Sequence, residues 1–178
     1  MILGPEKLLQ LVKKNNLVEN LDKREVLNPE GAGFDLRLGE IYRLKSDAFL
    51  GIEERQTPEI ELVAQYNPQK VQSFTFYPGD YFLVATIEKI NLPLNICAVF
   101  IPRTTTFRSG LFLRTGIAQP GYKGKLTFGL KNEGPIKVTL ELGARFVFAV
   151  FHQVEGATHY RGQWQGGRVT TERREKQV

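Results

Sequence analysis

Between two apolar, strand-like runs lies the segment Pro102-Arg103-Thr104-Thr105-Thr106-Phe107-Arg108-Ser109-Gly110-Leu111. It places two arginines and four hydroxyls in one short connection. Guanidinium forks match phosphate oxygens two at a time and hydroxyls add further donors, so the segment has the chemistry of a phosphate cradle. Taken alone, it reads equally well as a polar surface loop.

Three further segments carry side chains suited to a ligand. Gly31-Ala32-Gly33-Phe34-Asp35-Leu36-Arg37-Leu38-Gly39 sets Asp35 at a glycine-bounded strand start, where an aspartate by itself usually caps a turn. Residues 116–132 read as a β-hairpin around Pro120-Gly121, with Tyr122, Thr127 and Phe128 in its second arm. Residues 160–168, rich in glycine and arginine with two aromatics, pack poorly alone but can order over a ligand.

Other chemistries are excluded by what the chain lacks. Its single cysteine, Cys97, rules out an internal disulfide and sits in an apolar run, where a thiol is an inert small hydrophobe. With one cysteine and two histidines it cannot build a cysteine-rich zinc site, and the paired signature of the zinc nucleobase deaminases is absent. Hydrolytic chemistry here must proceed without protein-bound zinc. The formal charge of +5 suits a nucleic acid or a small anion, and much of it lies in the tail, where Arg168, Arg173, Arg174 and Lys176 outnumber Glu172 and Glu175. No run approaches the roughly 20 apolar residues of a membrane helix. The start, Met1 to Lys7, lacks the regions of a signal peptide, so a cytoplasmic protein is expected.

The elements that must position these residues are mainly β. One short helix is expected at the N-terminus, from Pro5 through the Leu8, Leu9, Leu11 and Val12 cluster. Short strands follow from about residue 32, including 74–77 and 81–87 around Pro78-Gly79-Asp80, then 96–101, 111–117, 124–131, 136–141 and 144–151. Such spacing indicates a distorted antiparallel β jelly roll or barrel. Residues 45–70 read as a peripheral excursion. The division expected is a β domain over residues 1–155 and a flexible glycine- and arginine-rich tail over 156–178, closing over the site.

In this order the segments resemble the dCTP deaminase and trimeric dUTPase superfamily, on the dCTP deaminase side. The Asp35-Leu36-Arg37-Leu38-Gly39 run is similar to the family's first motif, and Arg103-Thr104-Thr105-Thr106-Phe107-Arg108 to its Arg-Ser-Ser-x-x-Arg phosphate motif. The hairpin is similar to the base-and-sugar motif, and Tyr160-Arg161-Gly162-Gln163 to the C-terminal Tyr-x-x-Gln closure. The resemblance implies a dUTPase-like jelly roll assembled as a homotrimer with sites between subunits. Its ligand would be a pyrimidine deoxynucleoside triphosphate, with Mg²⁺ carried mainly on the phosphates and no direct protein ligand. It assigns phosphate to Arg103, Thr104 and Thr105, and brings Arg108 to the reacting centre from a neighbouring subunit. It gives base and sugar to Tyr122, Thr127 and Phe128, and closure to His159, Tyr160 and Gln163. Asp35 would support the phosphate site and its metal water. Where deaminases of the family usually have lysine, this chain has His159.

Two departures bear on chemistry. Gln119 stands at the usual position of the water-activating aspartate, and Gly129 at that of the deaminases' catalytic glutamate. Neither an amide nor a glycine supplies an acid or base. Glu133 lies about 13 Å further along the strand direction, too far to share a water with position 129. A neighbouring subunit could bring Asp35 or Glu155. Three readings stand: a dCTP deaminase-like enzyme, supported by the overall layout; a nucleotide-binding regulator without turnover, supported by the loss of both acids; and a single-stranded nucleic-acid binder. Against the last, the phenylalanines lie in apolar runs and belong to a core.

Overall fold

The computed structural model describes residues 1–177. Helix α1 (Pro5–Asn15) starts with proline in its first turn and stops where Asn16, at φ 54°, turns its N–H back onto the Leu11 and Val12 carbonyls. Its Leu8 is fully buried and joins the core. After β1 (Val18–Glu19), the short α2 (Lys23–Leu27) is capped by Asp22, whose carboxylate accepts from the Arg24 N–H at 2.9 Å. The strands β2 (Phe34–Leu44), β3 (Phe49–Leu50), β4 (Glu54–Gln56), β5 (Ile60–Gln65), β6 (Ser73–Phe76), β7 (Tyr81–Asn91) and β8 (Ile96–Pro102) follow. Helix α3 (Thr104–Arg108) interrupts them. Then come β9 (Leu111–Arg114), β10 (Ile117–Ala118), β11 (Lys123–Asn132), β12 (Val138–Glu141), β13 (Arg145–Gln153), a 3₁₀ turn at Gln165–Gly167, and β14 (Glu175–Lys176).

Nine strands form one antiparallel sheet in the order β10-β8-β13-β2-β7-β11-β9, with β1 on β7 and β5 on β2. Register shifts in the β2–β7, β2–β13 and β7–β11 ladders mark bulges, which bend strands and raise local twist. They curl this sheet into the distorted jelly roll expected. The core fills it with apolar side chains, Phe34, Phe146 and Phe151 among the largest, each contributing about 1.5–3 kcal/mol by leaving water. A T-shaped triangle of Phe74, Phe76 and Phe82 pins the small β6–β12 sheet against it.

Three features differ from the sequence reading. Helices α2 and α3 are added; each is only five residues long, too short for a periodic signal. The arms around Pro78-Gly79-Asp80 do not pair with each other: β6 joins β12, while β7 joins β1, β2 and β11. The arms around Pro120-Gly121 also part, β10 going to β8 and β11 to β7 and β9. Both turns are therefore corners at which the chain changes partners; turn chemistry fixes the reversal but not which strand receives each arm. The excursion at 45–70 splits, β5 extending the main sheet and β3–β4 forming a lobe completed by β14.

Candidate functional site

The corner at Pro120-Gly121 opens a cavity of about 430 Å³, within the range of small-ligand sites. The Tyr122 N–H bonds to the Gln119 carbonyl at 3.0 Å and Gly121 takes φ 85°, a conformation suited to glycine in the turn. Strand β11 then brings Leu126, Thr127 and Phe128 to the wall, with Phe100 of β8 and Leu83 of β7 beside them. The Tyr122 hydroxyl donates to the Lys125 carbonyl at 2.5 Å. Burial, assisted by the neighbouring Tyr160, pushes that phenol up to about 12, so it stays protonated. Among the described residues, the Thr127 Oγ1 is the buried side-chain oxygen without a hydrogen-bond partner. Leaving such a group unsatisfied costs about 1–3 kcal/mol.

The cavity's outer wall comes from the tail and the excursion. Tyr160 packs edge-on to Tyr122 at 5.7 Å, and its N–H bonds to the Pro120 carbonyl at 2.9 Å. Trp164 and Arg168 of the tail and Thr57 and Pro58 of the excursion complete this side. The Arg55 guanidinium lies 4.6 Å from the Trp164 ring and donates to Gln163 Oε1 at 2.6 Å. Arg55 and Arg168 converge on Glu175, at 3.1 and 2.8 Å. Thr57 and Thr171 exchange backbone and hydroxyl bonds at 2.9 and 2.7 Å. Gln165 clasps the corner, accepting from the Lys123 N–H at 2.8 Å and donating to the Gly121 carbonyl at 2.9 Å. The tail backbone at Gly166 and Gly167 runs so close to Gly124 that a Cβ there would collide with it; Gly124 has φ 143°.

The Arg103 segment lines a second cavity, of about 340 Å³, with Asp35, Thr104 and Thr105. Asp35 Oδ2 accepts from Arg145 Nη1 at 2.9 Å and forms an ion pair with Arg103 Nε at 3.0 Å. Glu25, 1% exposed, accepts from the Asp35 N–H at 3.1 Å and pairs with Arg24. Thr104 and Thr105 are exposed on α3, while Thr106 turns inward to the Phe146 carbonyl at 2.9 Å.

One chain thus brings Gln119, Tyr122, Thr127, Phe128 and Tyr160 to one cavity and Asp35, Arg103, Thr104 and Thr105 to another, with no shared wall residue. Arg108 is exposed on α3 and lines neither. His159 lies against Gly121, its Nδ1 2.7 Å from the Tyr160 carbonyl oxygen, and Gln163 is held by Arg55. Gly129 lies behind Tyr81: a Cβ at 129 would fall 2.9 Å from Tyr81 Cζ and closer still to Oη, and Tyr81 forms the cavity wall there. Among the described residues lining the first cavity, Arg168 is the charged one and no carboxylate appears. Sequence reasoning missed Tyr81, Arg55, Arg145 and Glu25. Each acts across strand or loop partners far away in the chain, so no local pattern announces it.

The chain belongs to the dCTP deaminase-like family, whose model matches residues 2–154. It is 32% identical over 144 residues to the "Probable deoxyuridine 5'-triphosphate nucleotidohydrolase" of Methanothermobacter thermautotrophicus, covering 81% of this chain and 91% of that one. It is 28% identical over 174 residues to the dCTP deaminase of Pyrobaculum calidifontis, covering 96% and 95%. By their names these relatives are hydrolytic enzymes of nucleotide metabolism. Among solved structures, the 2'-deoxycytidine 5'-triphosphate deaminase of Agrobacterium tumefaciens shares the fold, with a TM-score of 0.66 at 18% identity. The match covers 86% of this chain and 48% of that one, so this chain spans about half of its length. No helix among the described residues is long and apolar enough to cross a membrane.

Proposed function

We propose that the protein binds a pyrimidine deoxynucleoside triphosphate and works in pyrimidine deoxynucleotide metabolism as a dCTP deaminase-like hydrolase. The observation that carries this reading is the corner cavity, nucleoside-sized and largely apolar, lined by Tyr122, Thr127, Phe128 and Tyr160. Base and sugar enter this cavity, covered by Tyr160 and the tail. The triphosphate lies on Arg103, Thr104 and Thr105 of a neighbouring copy, because one chain keeps cradle and cavity apart. A homotrimer joins them, and Arg108 reaches the ligand from the adjoining copy.

The donor set suits Mg²⁺ carried on the phosphates. Among the described residues no group of three or more His, Cys, Asp or Glu is placed to hold a metal ion, and Asp35 and Glu25 already face arginines. Mg²⁺ prefers to keep its waters and lean on substrate phosphates, where it neutralises charge.

The relatives' names supply the reaction class. In hydrolytic deamination of dCTP, water adds at C4 of the ring and ammonia leaves, giving dUTP. A carboxylate must take and return the proton, and on this reading a neighbouring copy provides it, through Asp35 or Glu155. A second reading, binding without turnover, is favoured by the absence of a carboxylate in the cavity wall and by Tyr81 standing over Gly129. One experiment separates them: incubation with dCTP and with dUTP plus Mg²⁺, products resolved by chromatography beside a binding titration. Binding with dUTP, dUMP or pyrophosphate supports the enzyme. Binding without product establishes the second reading, and absence of binding overturns both.

A further inference from the structure

We infer that Tyr81 and Gly129 form a matched pair in which the phenol provides the cavity's base-reading group. This rests on the proposal that the corner cavity takes the pyrimidine. Gly129 lies mid-strand in β11, paired with Leu83 on one side and Arg114 on the other. Glycine inside a strand weakens it and often marks close approach by another group. Here that group is on the page: the Tyr81 ring and hydroxyl fill the space any side chain at 129 would take. Tyr81 starts β7 just after the Pro78-Gly79 turn, so its backbone is held by the sheet while the residue stays 41% exposed. The glycine is thus what admits the tyrosine to the wall.

The exchange changes what the wall can recognise. An ionised carboxylate at this place only accepts hydrogen bonds and so favours a 4-amino group over a 4-oxo group. A phenol hydroxyl donates to the 4-oxo group and accepts from the 4-amino group. With Thr127 two positions from Gly129 on the same strand, the wall around Tyr81 is neutral and the cavity's charged lining residue, Arg168, belongs to the tail side. The cavity therefore admits cytosine and uracil alike, and Tyr81 contributes binding rather than proton transfer.

Calorimetric titration of dCTP, dUTP and inorganic tripolyphosphate tests this on the wild-type protein, Tyr81→Phe and Gly129→Ala. Wild-type affinities for dCTP and dUTP are expected within about tenfold of each other. Loss of one neutral hydrogen bond weakens both nucleotides about threefold to tenfold in Tyr81→Phe and leaves tripolyphosphate unchanged. Gly129→Ala, whose methyl displaces the phenol, is expected to reproduce that loss. A circular dichroism spectrum matching wild type shows each variant folded, and one folded variant suffices. Unchanged nucleotide affinity in a folded variant, or a wild-type preference above about 100-fold, overturns the inference while leaving the cavity assignment standing. A wild-type protein that binds neither nucleotide overturns the assignment itself.

Discussion

Asp35 Oδ2 lies 3.0 Å from Arg103 Nε as an ion pair and accepts a hydrogen bond from Arg145 at 2.9 Å, so one carboxylate serves two guanidiniums. The anion is 10% exposed at its side chain and sits between strands more than a hundred residues apart. Charge-assisted bonds of this kind hold a guanidinium in one orientation. Asp35 therefore fixes Arg145, holds Arg103 beside it by charge and, by partial neutralisation, keeps two clustered cations from repelling each other.

Arg103→Ala should reduce triphosphate affinity by roughly 10- to 100-fold, the range for a lost charge-assisted contact. The fold should survive, since Asp35 keeps Arg145. Calorimetric titration beside thermal unfolding checks this, and unchanged affinity would place the phosphates elsewhere.

Asp35→Asn should act differently. It keeps the shape but removes the anion between Arg103 and Arg145, and stability should drop by about 1–3 kcal/mol. Urea unfolding near neutral pH measures it. A variant as stable as wild type would show that the pair contributes nothing to folding.

The tail docks through many contacts, among them Trp164 under Arg55 and the Thr57–Thr171 exchange. Trp164→Ala should speed proteolytic cleavage within 156–177 while leaving the unfolding midpoint of the sheet nearly unchanged. Cleavage at the wild-type rate would mean the tryptophan does not hold the tail.

Glu88 gives a prediction in pH. It is fully buried beneath Arg37, which donates to it from Nε at 2.7 Å. Burial nevertheless holds its carboxyl above the usual value of 4.5, against the pull of the Arg37 backbone N–H and guanidinium. A raised acid binds its proton more tightly folded than unfolded. Its contribution is therefore complete below about pH 4 and lost as pH rises through the raised folded value. Wild type should lose more stability than Glu88→Gln between pH 4 and 7 in urea titrations. Parallel profiles would count against a raised carboxyl.

Much of the fold was legible because alternation and turn residues declare strands locally. The runs at 96–101 and 144–151 emerge as β8 and β13 within a residue or two. Pairing was not legible: nothing around Pro78-Gly79 says that β6 leaves for β12 while β7 enters the main sheet. The site shows the same division. Gln119 and Gly129 stand out as departures by residue type alone. That a tyrosine 48 positions earlier occupies the space above Gly129 depends on the β7–β11 register, which shifts at a bulge between Lys125 and Thr127. Arg55 was hidden for a related reason, its carboxylate partner lying 120 residues away.

That distance has a consequence for how the molecule is made. Strand β4 pairs with β3 and with β14, so half its ladder waits for nearly the whole chain. During synthesis the lobe presents an open edge, flanked by the exposed Leu50 and Ile52, that any other strand could meet. Only when Glu175 arrives beside Arg55 is the edge sealed. Such long-range closure is slow relative to local pairing, which leaves the lobe's edge open to aggregation until β14 is in place.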